Sequence, residues 1–296
     1  MTSKNIFKGV LTALITPFKE GVVDKGVLEN MIEMQIDAAI HALVVGGSTG
    51  EGGLLPDDEY YNLIEIAVKC SAGRIPIIAG ISSISTRAAL EKVLRLNQIG
   101  VDGIMSTVPH YVKPEQDGIQ MHFEAVASTS KSPVMIYIHP SRTGSEISDE
   151  TLLNLAKQKN ILALKDAGDD IERPLRILPK LMHENFTMLT GDDSKMLAYT
   201  ANGGDGCVSV LANILPDKCV EIYDLHASYE ALVVQREVTP LLNALAAESN
   251  PICIKYAASK LNLCRDEESY TLPLTKARAE TREAIDLALR ELGLPR

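Results

Sequence analysis

Eight short apolar segments rich in β-forming residues recur along the chain, at 9 to 16, 42 to 46, 75 to 80, 103 to 108, 133 to 139, 161 to 165, 186 to 190 and 206 to 211. Between them the apolar residues fall at helical spacing: Leu28, Met31, Ile32, Gln35 and Ile36 after the first segment, Tyr60, Leu63, Ile64 and Ala67 after the second, and Ala89, Leu90, Val93, Leu94 and Leu96 after the third. Strands that read as near-continuous apolar runs belong to a parallel sheet buried on both faces. Eight strand–helix units are what a (β/α)8 barrel requires, so the pattern predicts an α/β fold with a TIM barrel over residues 1–216. A doubly wound open sheet is the competing architecture. It commonly carries a glycine fingerprint after its first strand, whereas here that strand runs into Thr16-Pro17-Phe18. From 217 to 296 the periodicity is purely helical, which predicts a C-terminal helical extension packed on the barrel. Asn250-Pro251 breaks it, and Arg278 to Arg290 forms an amphipathic helix stopped by Gly293-Leu294-Pro295.

With 29 basic and 39 acidic residues the chain carries a formal charge of −10 and has no basic run, which argues against a nucleic-acid partner. Cys70, Cys207, Cys219, Cys253 and Cys264 are odd in number and contain no C-x-x-C pair, so free thiols are expected and neither a disulfide framework nor a metal site. The N-terminus lacks an apolar core with a cleavage site, and no stretch approaches the ~18 apolar residues of a membrane span, so a soluble, cytoplasmic protein without a membrane partner is expected.

In a (β/α)8 barrel the site is built from residues that follow the strands. Lys165 closes the run Ile161-Leu162-Ala163-Leu164, and strict alternation places it on one face with Ile161 and Ala163, away from Asp166. A lysine at a strand end can snorkel into solvent. Buried at a strand mouth, it can instead act as a nucleophile, because burial favours the free amine. Tyr137, near the top of the fifth strand, falls beside it if both face inward, and a phenol there can pass protons. Gly46 to Gly53 includes Ser48, Thr49 and Glu51; its amides and hydroxyls can grip a small anion, although a flexible turn explains them equally, and Glu51 fits the first turn of a helix. Arg142, in Pro140-Ser141-Arg142-Thr143-Gly144, can hold a carboxylate bidentately or lie on a surface loop. Tyr111 sits in a loop stiffened by Pro109 and Pro114. Gly191-Asp192-Asp193 reads as a solvated turn or helix start rather than as metal ligands, and a serine-hydrolase reading of Ser48 with the histidines is set aside.

Taken together, Gly47-Ser48-Thr49-Gly50-Glu51, the Tyr137 strand with its Ser-Arg-Thr-Gly segment, Leu164-Lys165-Asp166 and Gly191-Asp192-Asp193 resemble, over nearly the whole chain, the family of pyruvate-dependent class I aldolases that contains dihydrodipicolinate synthase and N-acetylneuraminate lyase. The resemblance implies an imine between Lys165 and pyruvate, which serves as the electron sink so that no cofactor is needed. It implies that Ser48 and Thr49 hold the pyruvate carboxylate and that Tyr137 moves protons. Thr49 would link Tyr137 to Tyr111, with Tyr111 reaching in from a neighbouring subunit of a homo-oligomer, typically a tetramer of two tight dimers. Gly191 and Val208 would line the pocket. Arg142 in this segment implies a synthase, in which it receives the carboxylate of aspartate semialdehyde. Gly-Ser-Thr-Gly-Glu and the Ile138-His139 step depart from the usual synthase pattern, and the first also resembles the sugar-acid lyases, the alternative using the same lysine. A non-catalytic keto-acid-binding barrel is the alternative of another class. Ile84, Ala88 and His110 replace the polar groups with which lysine-inhibited members bind lysine, which implies weak or absent feedback.

Overall fold

The computed structural model describes residues 5–181, 185–265 and 270–294. The N-terminal segment used to judge targeting, apart from Asn5, and the Pro295 stop signal lie outside the described residues.

Eight strands form a closed parallel barrel: β1 (Gly9–Ala13), β2 (Ala42–Val45), β3 (Ile77–Ile81), β4 (Gly103–Thr107), β5 (Val134–Ile138), β6 (Ile161–Asp166), β7 (Thr187–Thr190) and β8 (Gly206–Ser209). Each pairs with its sequence neighbours, and β8 closes on β1 with Gly9 opposite Gly206 and Leu11 opposite Val208. The alternation of strand side chains splits the core in two. Leu11, Ala42, Val44, Ile78, Met105, Met135, Ala163, Leu189 and Val208 fill the barrel, and Phe7 packs with them. Val10, Leu43, Ile77, Ile104, Ile136 and Leu164 point outward into the helical layer.

The expected helices form where the spacing placed them. In α1 (Lys25–Asp37) Leu28, Met31, Ile32 and Gln35 are buried, and Asp24 caps the helix by accepting from the Val27 amide. The buried side chains of α2 (Asp57–Ser71) include Tyr60, Leu63, Ile64 and Ala67. Ser85 caps α3 (Thr86–Ile99), which buries Ala89, Val93 and Leu96 but leaves Leu94 exposed. Then come α4 (Gln116–Thr129), the single turn α5 (Pro140–Thr143), α6 (Asp149–Ala156), α7 (Arg173–Ile177) and α8 (Met196–Ala201). The helix α9 (Pro216–Asp224) packs on β1, so it belongs to the outer ring of the barrel, and the boundary expected between 216 and 217 runs through its first turn. The helices beyond it are α10 (Tyr229–Leu245), α11 (Ile252–Lys260) and α12 (Ala279–Glu291), with Asn250-Pro251 between the first two as expected.

Two local expectations are corrected. Ile161 does not share the inward face of Lys165. Val134 pairs with Ile161 but Met135 with Ala163, so Leu162 is the extra residue of a bulge. Ile161 therefore packs outside while Leu162 leans on the interior cluster. Glu51 is not in a helical first turn, because α2 begins only at Asp57; it lies in the preceding turn with φ 56°. None of the five cysteines is in a disulfide, and no described helix is long and apolar enough to cross a membrane.

Candidate active site

The β5–β6 register sets Tyr137 opposite Lys165. Above the bulge the alternation is regular, and both side chains turn into the barrel at its carboxyl end. Lys165 is only 5% exposed, and its Nζ lies 4.2 Å from the centroid of the Tyr137 ring, a cation–π distance. Both border a cavity of about 980 Å³ whose lining also includes Ser48, Thr49, Arg142 and Gly191. A methyl group on Gly191 would come within 2.9 Å of Lys165 Cε and of Ala167 Cβ, so only glycine leaves room for the lysine arm. Asp166 points to the opposite side, where Arg173 Nη1 lies 3.3 Å from its Oδ2. Burial pushes the Asp166 carboxyl up, against the pull of Arg173.

The loop after β2 reaches the same cavity because of its glycines. A Cβ on Gly80 of β3 would lie 2.5 Å from Gly47 Cα, and one on Gly52 would strike the Gly46 carbonyl, so backbone crosses backbone here without side chains between. Thr16 Oγ1 donates to the Gly50 carbonyl at 2.6 Å. Thr49 is buried, and its Oγ1 accepts from Asn250 Nδ2 at 2.8 Å. With that lone pair occupied, the Thr49 hydroxyl proton is left to donate elsewhere. Arg142 Nη2 donates to the Asn250 carbonyl at 2.9 Å. Asn250 thus joins the Ser48–Thr49 loop to the rim arginine.

His139 also lines the cavity, with its Nδ1 3.0 Å from Ser141 Oγ. Burial, then the positive charges of Arg142 and Lys165, hold its pKa down at about 4, so the ring is neutral at pH 7.

Gly191-Asp192-Asp193 divides. Asp192 caps a short turn by accepting from the Ser194 amide, as a helix start should. Asp193 is not solvated: it is buried, accepts from the Ser209 hydroxyl and from the amides of Val210 at 2.8 Å and Leu211 at 3.1 Å, and burial raises its pKa. Its carboxylate ties the turn after β7 to the segment after β8. Among the described residues no group of three or more His, Cys, Asp or Glu side chains is arranged to hold a metal ion. Gly46 to Gly50 does match the letters Gly-x-Ser-x-Gly of a hydrolase elbow. Yet Ser48 lies in a run of turns, with α2 beginning only at Asp57, rather than on a sharp strand-to-helix turn.

Two expected site residues stand apart from the cavity of their own chain. Tyr111 is 85% exposed, with φ 72°. Val208 is fully buried in the barrel interior rather than on the cavity wall. Conversely, the extension contributes a wall that the sequence did not signal: Glu248, Ser249, Asn250, Ile252 and Arg278 all line the cavity. Asn250 stands 201 residues from Thr49, and its pairing with Pro251 marks only a helix break, so no local pattern identifies its role.

The chain that carries this arrangement has close counterparts among known proteins. The 4-hydroxy-tetrahydrodipicolinate synthase of Rickettsia bellii is 45% identical over 98% of this chain and 99% of its own. The dihydrodipicolinate synthase of Aquifex aeolicus superposes with a TM-score of 0.93 at 38% identity, covering 98% of this chain and 99% of that one. A chloride-inhibited dihydrodipicolinate synthase of Acinetobacter baumannii, solved in complex with pyruvate, gives 0.92 at 33% identity, covering 97% and 99%. Residues 6–292 match the model of the dihydrodipicolinate synthetase family, and the chain belongs to that family.

Proposed function

We propose that the chain catalyses the reaction for which its Rickettsia relatives are named, condensing pyruvate with aspartate semialdehyde through an imine on Lys165. One observation carries this: the Lys165 amine is buried at the barrel mouth, 4.2 Å from the Tyr137 ring centroid and inside the cavity that Ser48, Thr49 and Arg142 also line. The amine attacks the pyruvate ketone, water leaves, and the imine draws electrons from the methyl carbon as a proton departs. The resulting enamine carbon attacks the aldehyde. Tyr137, whose ring lies beside the amine, carries the protons, and Ser48 and Thr49 hold the pyruvate carboxylate. The carboxylate of the second substrate goes to Arg142, a planar fork on the rim. Gly191 gives the lysine arm its room, and Val208 supports the floor from the layer beneath. The imine itself is the electron sink, so this route uses no resident cofactor or metal.

The exposed Tyr111 supports the homo-oligomer reading, in which it completes the relay through Thr49 in a neighbouring subunit of a tetramer. Its backbone is held in a left-handed conformation that non-glycine residues seldom adopt, and its side chain is exposed and does not line the cavity of its own chain. Borohydride reduction in the presence of pyruvate, followed by peptide mapping, tests the imine: the adduct is expected on Lys165, and its absence refutes the scheme. An assay offering aspartate semialdehyde and sugar-acid aldehydes side by side is expected to show turnover only of the first.

A further inference from the structure

The helix α11 holds the Ser48–Thr49 loop at two points, and one of them is a pair of fully buried charges. Asn250, just before the helix, donates to Thr49. Lys255, in the first turn, donates to Glu51 Oε1, and neither side chain of this ion pair has any exposed surface. The other carboxylate oxygen, Glu51 Oε2, accepts from the Thr271 amide at 2.9 Å, and the Phe18 ring centroid lies 4.4 Å from Lys255 Nζ. Glu51 is part of the loop itself: its amide donates to the Ser48 carbonyl at 3.2 Å, and its carbonyl accepts from Leu54 at 2.8 Å.

Stability alone is a poor explanation for such a pair. Two desolvated charges commonly gain no more than a well-packed apolar pair of the same volume. A carboxylate two residues from Thr49 is, in addition, the wrong charge to leave uncompensated beside a subsite for a carboxylate substrate. Lys255 removes that conflict without itself lining the cavity.

We infer that Lys255 and Glu51 are positioning residues for the pyruvate carboxylate: the pair locks the Ser48–Thr49 loop onto the C-terminal extension and cancels the Glu51 charge next to the anion subsite. This rests on the pyruvate assignment of the site. It makes the extension a part of pyruvate binding rather than a cover on the barrel.

The test compares Lys255→Met, which strands the Glu51 charge, with Glu51→Gln/Lys255→Met, which removes both charges at nearly constant volume. Lys255→Met is expected to raise the pyruvate KM by about tenfold or more while the KM for aspartate semialdehyde and the kcat at saturation change by less than about threefold. The double variant, in which the glutamine at position 51 can still accept from the Thr271 amide but no ion pair ties it to α11, is expected to recover part of that rise as the stranded charge goes, leaving a pyruvate KM between those of the single variant and the unmodified protein. An unchanged pyruvate KM, equal rises in both KM values, or a double variant as impaired as the single one would overturn the inference. Should Lys255→Met not fold, hydrogen exchange on the unmodified protein decides. Pyruvate is expected to slow exchange at 48–54 and 252–256 together, and protection confined to 48–54 refutes the coupling. Failure of the imine assignment shows separately, as the absence of a borohydride-trapped adduct on Lys165 of the unmodified protein.

Discussion

Lys165 is made useful by what its neighbours leave out. Gly191 has no side chain where a Cβ would sit 2.9 Å from both Lys165 Cε and Ala167 Cβ, so a methyl group would press the lysine arm on one side and the Ala167 backbone on the other. Gly191→Ala is therefore expected both to displace the nucleophile and to strain the packing against Ala167. Since a misplacement of ~1 Å can cost on the order of 100-fold, kcat/KM should fall by about that factor, with about 1–3 kcal/mol of stability lost to the overpacked contact, which kinetics and thermal denaturation on the same sample would show. His122 makes a different kind of residue-scale statement. It is buried on α4, its Nδ1 lies 3.0 Å from Thr86 Oγ1, and its Nε2 has no hydrogen-bond partner, so nothing solvates an added proton. Burial lowers its pKa to about 4 from 6.5. The unfolded chain then binds a proton between those values that the native protein refuses, so stability is complete above pH 6.5 and falls as the pH drops toward 4. His139 shifts the same way. Urea titrations at pH 7 and pH 5 are expected to show the loss, and His122→Gln should reduce the slope by up to about 1.4 kcal/mol per pH unit.

Among the elements, the strands were legible because burial on both faces leaves an apolar run, and the helices because one buried stripe repeats every three or four residues. The segments expected at 103 to 108 and 161 to 165 form strands at Gly103–Thr107 and Ile161–Asp166. The bulge at Leu162 was not legible: Ile161 and Leu162 are both apolar, and only the pairing with Val134 and Met135 decides which one turns inward. Asp193 was misjudged for a related reason. An aspartate after a strand resembles any polar turn until the partners that bury it are known, and Ser209, Val210 and Leu211 come from the end of the next strand and the segment after it. Asp193→Ala strands a hydroxyl and two amides, each costing ~1–3 kcal/mol when buried without a partner. A loss of about 3 kcal/mol or more in denaturant-unfolding free energy is expected. A loss under about 1 kcal/mol would mean that water replaces the carboxylate.

At the scale of the whole molecule, the barrel gathers residues from β2, β5, β6 and β7 at one mouth, and the extension closes over them with Asn250 and Lys255. Tyr111 is the part of the proposed relay that a single chain does not bring to its own cavity. If it serves a neighbouring subunit, Tyr111→Phe and Tyr137→Phe chains should each be nearly inactive alone yet regain activity when coassembled. A mixed dimer then carries one site with both tyrosines intact, and the absence of recovery in mixed oligomers verified by mass spectrometry would exclude the arrangement. The sequence by itself determined the number and order of strand–helix units, the inward pair Tyr137 and Lys165, and the grouping of Ser48, Thr49 and Arg142 at one rim, because side-chain alternation and the one-directional barrel are properties of local pattern and closure. Only the tertiary structure decided that Asn250 grips Thr49, that Lys255 neutralises Glu51 and that Asp193 is buried, because those contacts join segments from 16 to 204 residues apart, whose meeting depends on packing and leaves no periodic trace in the chain.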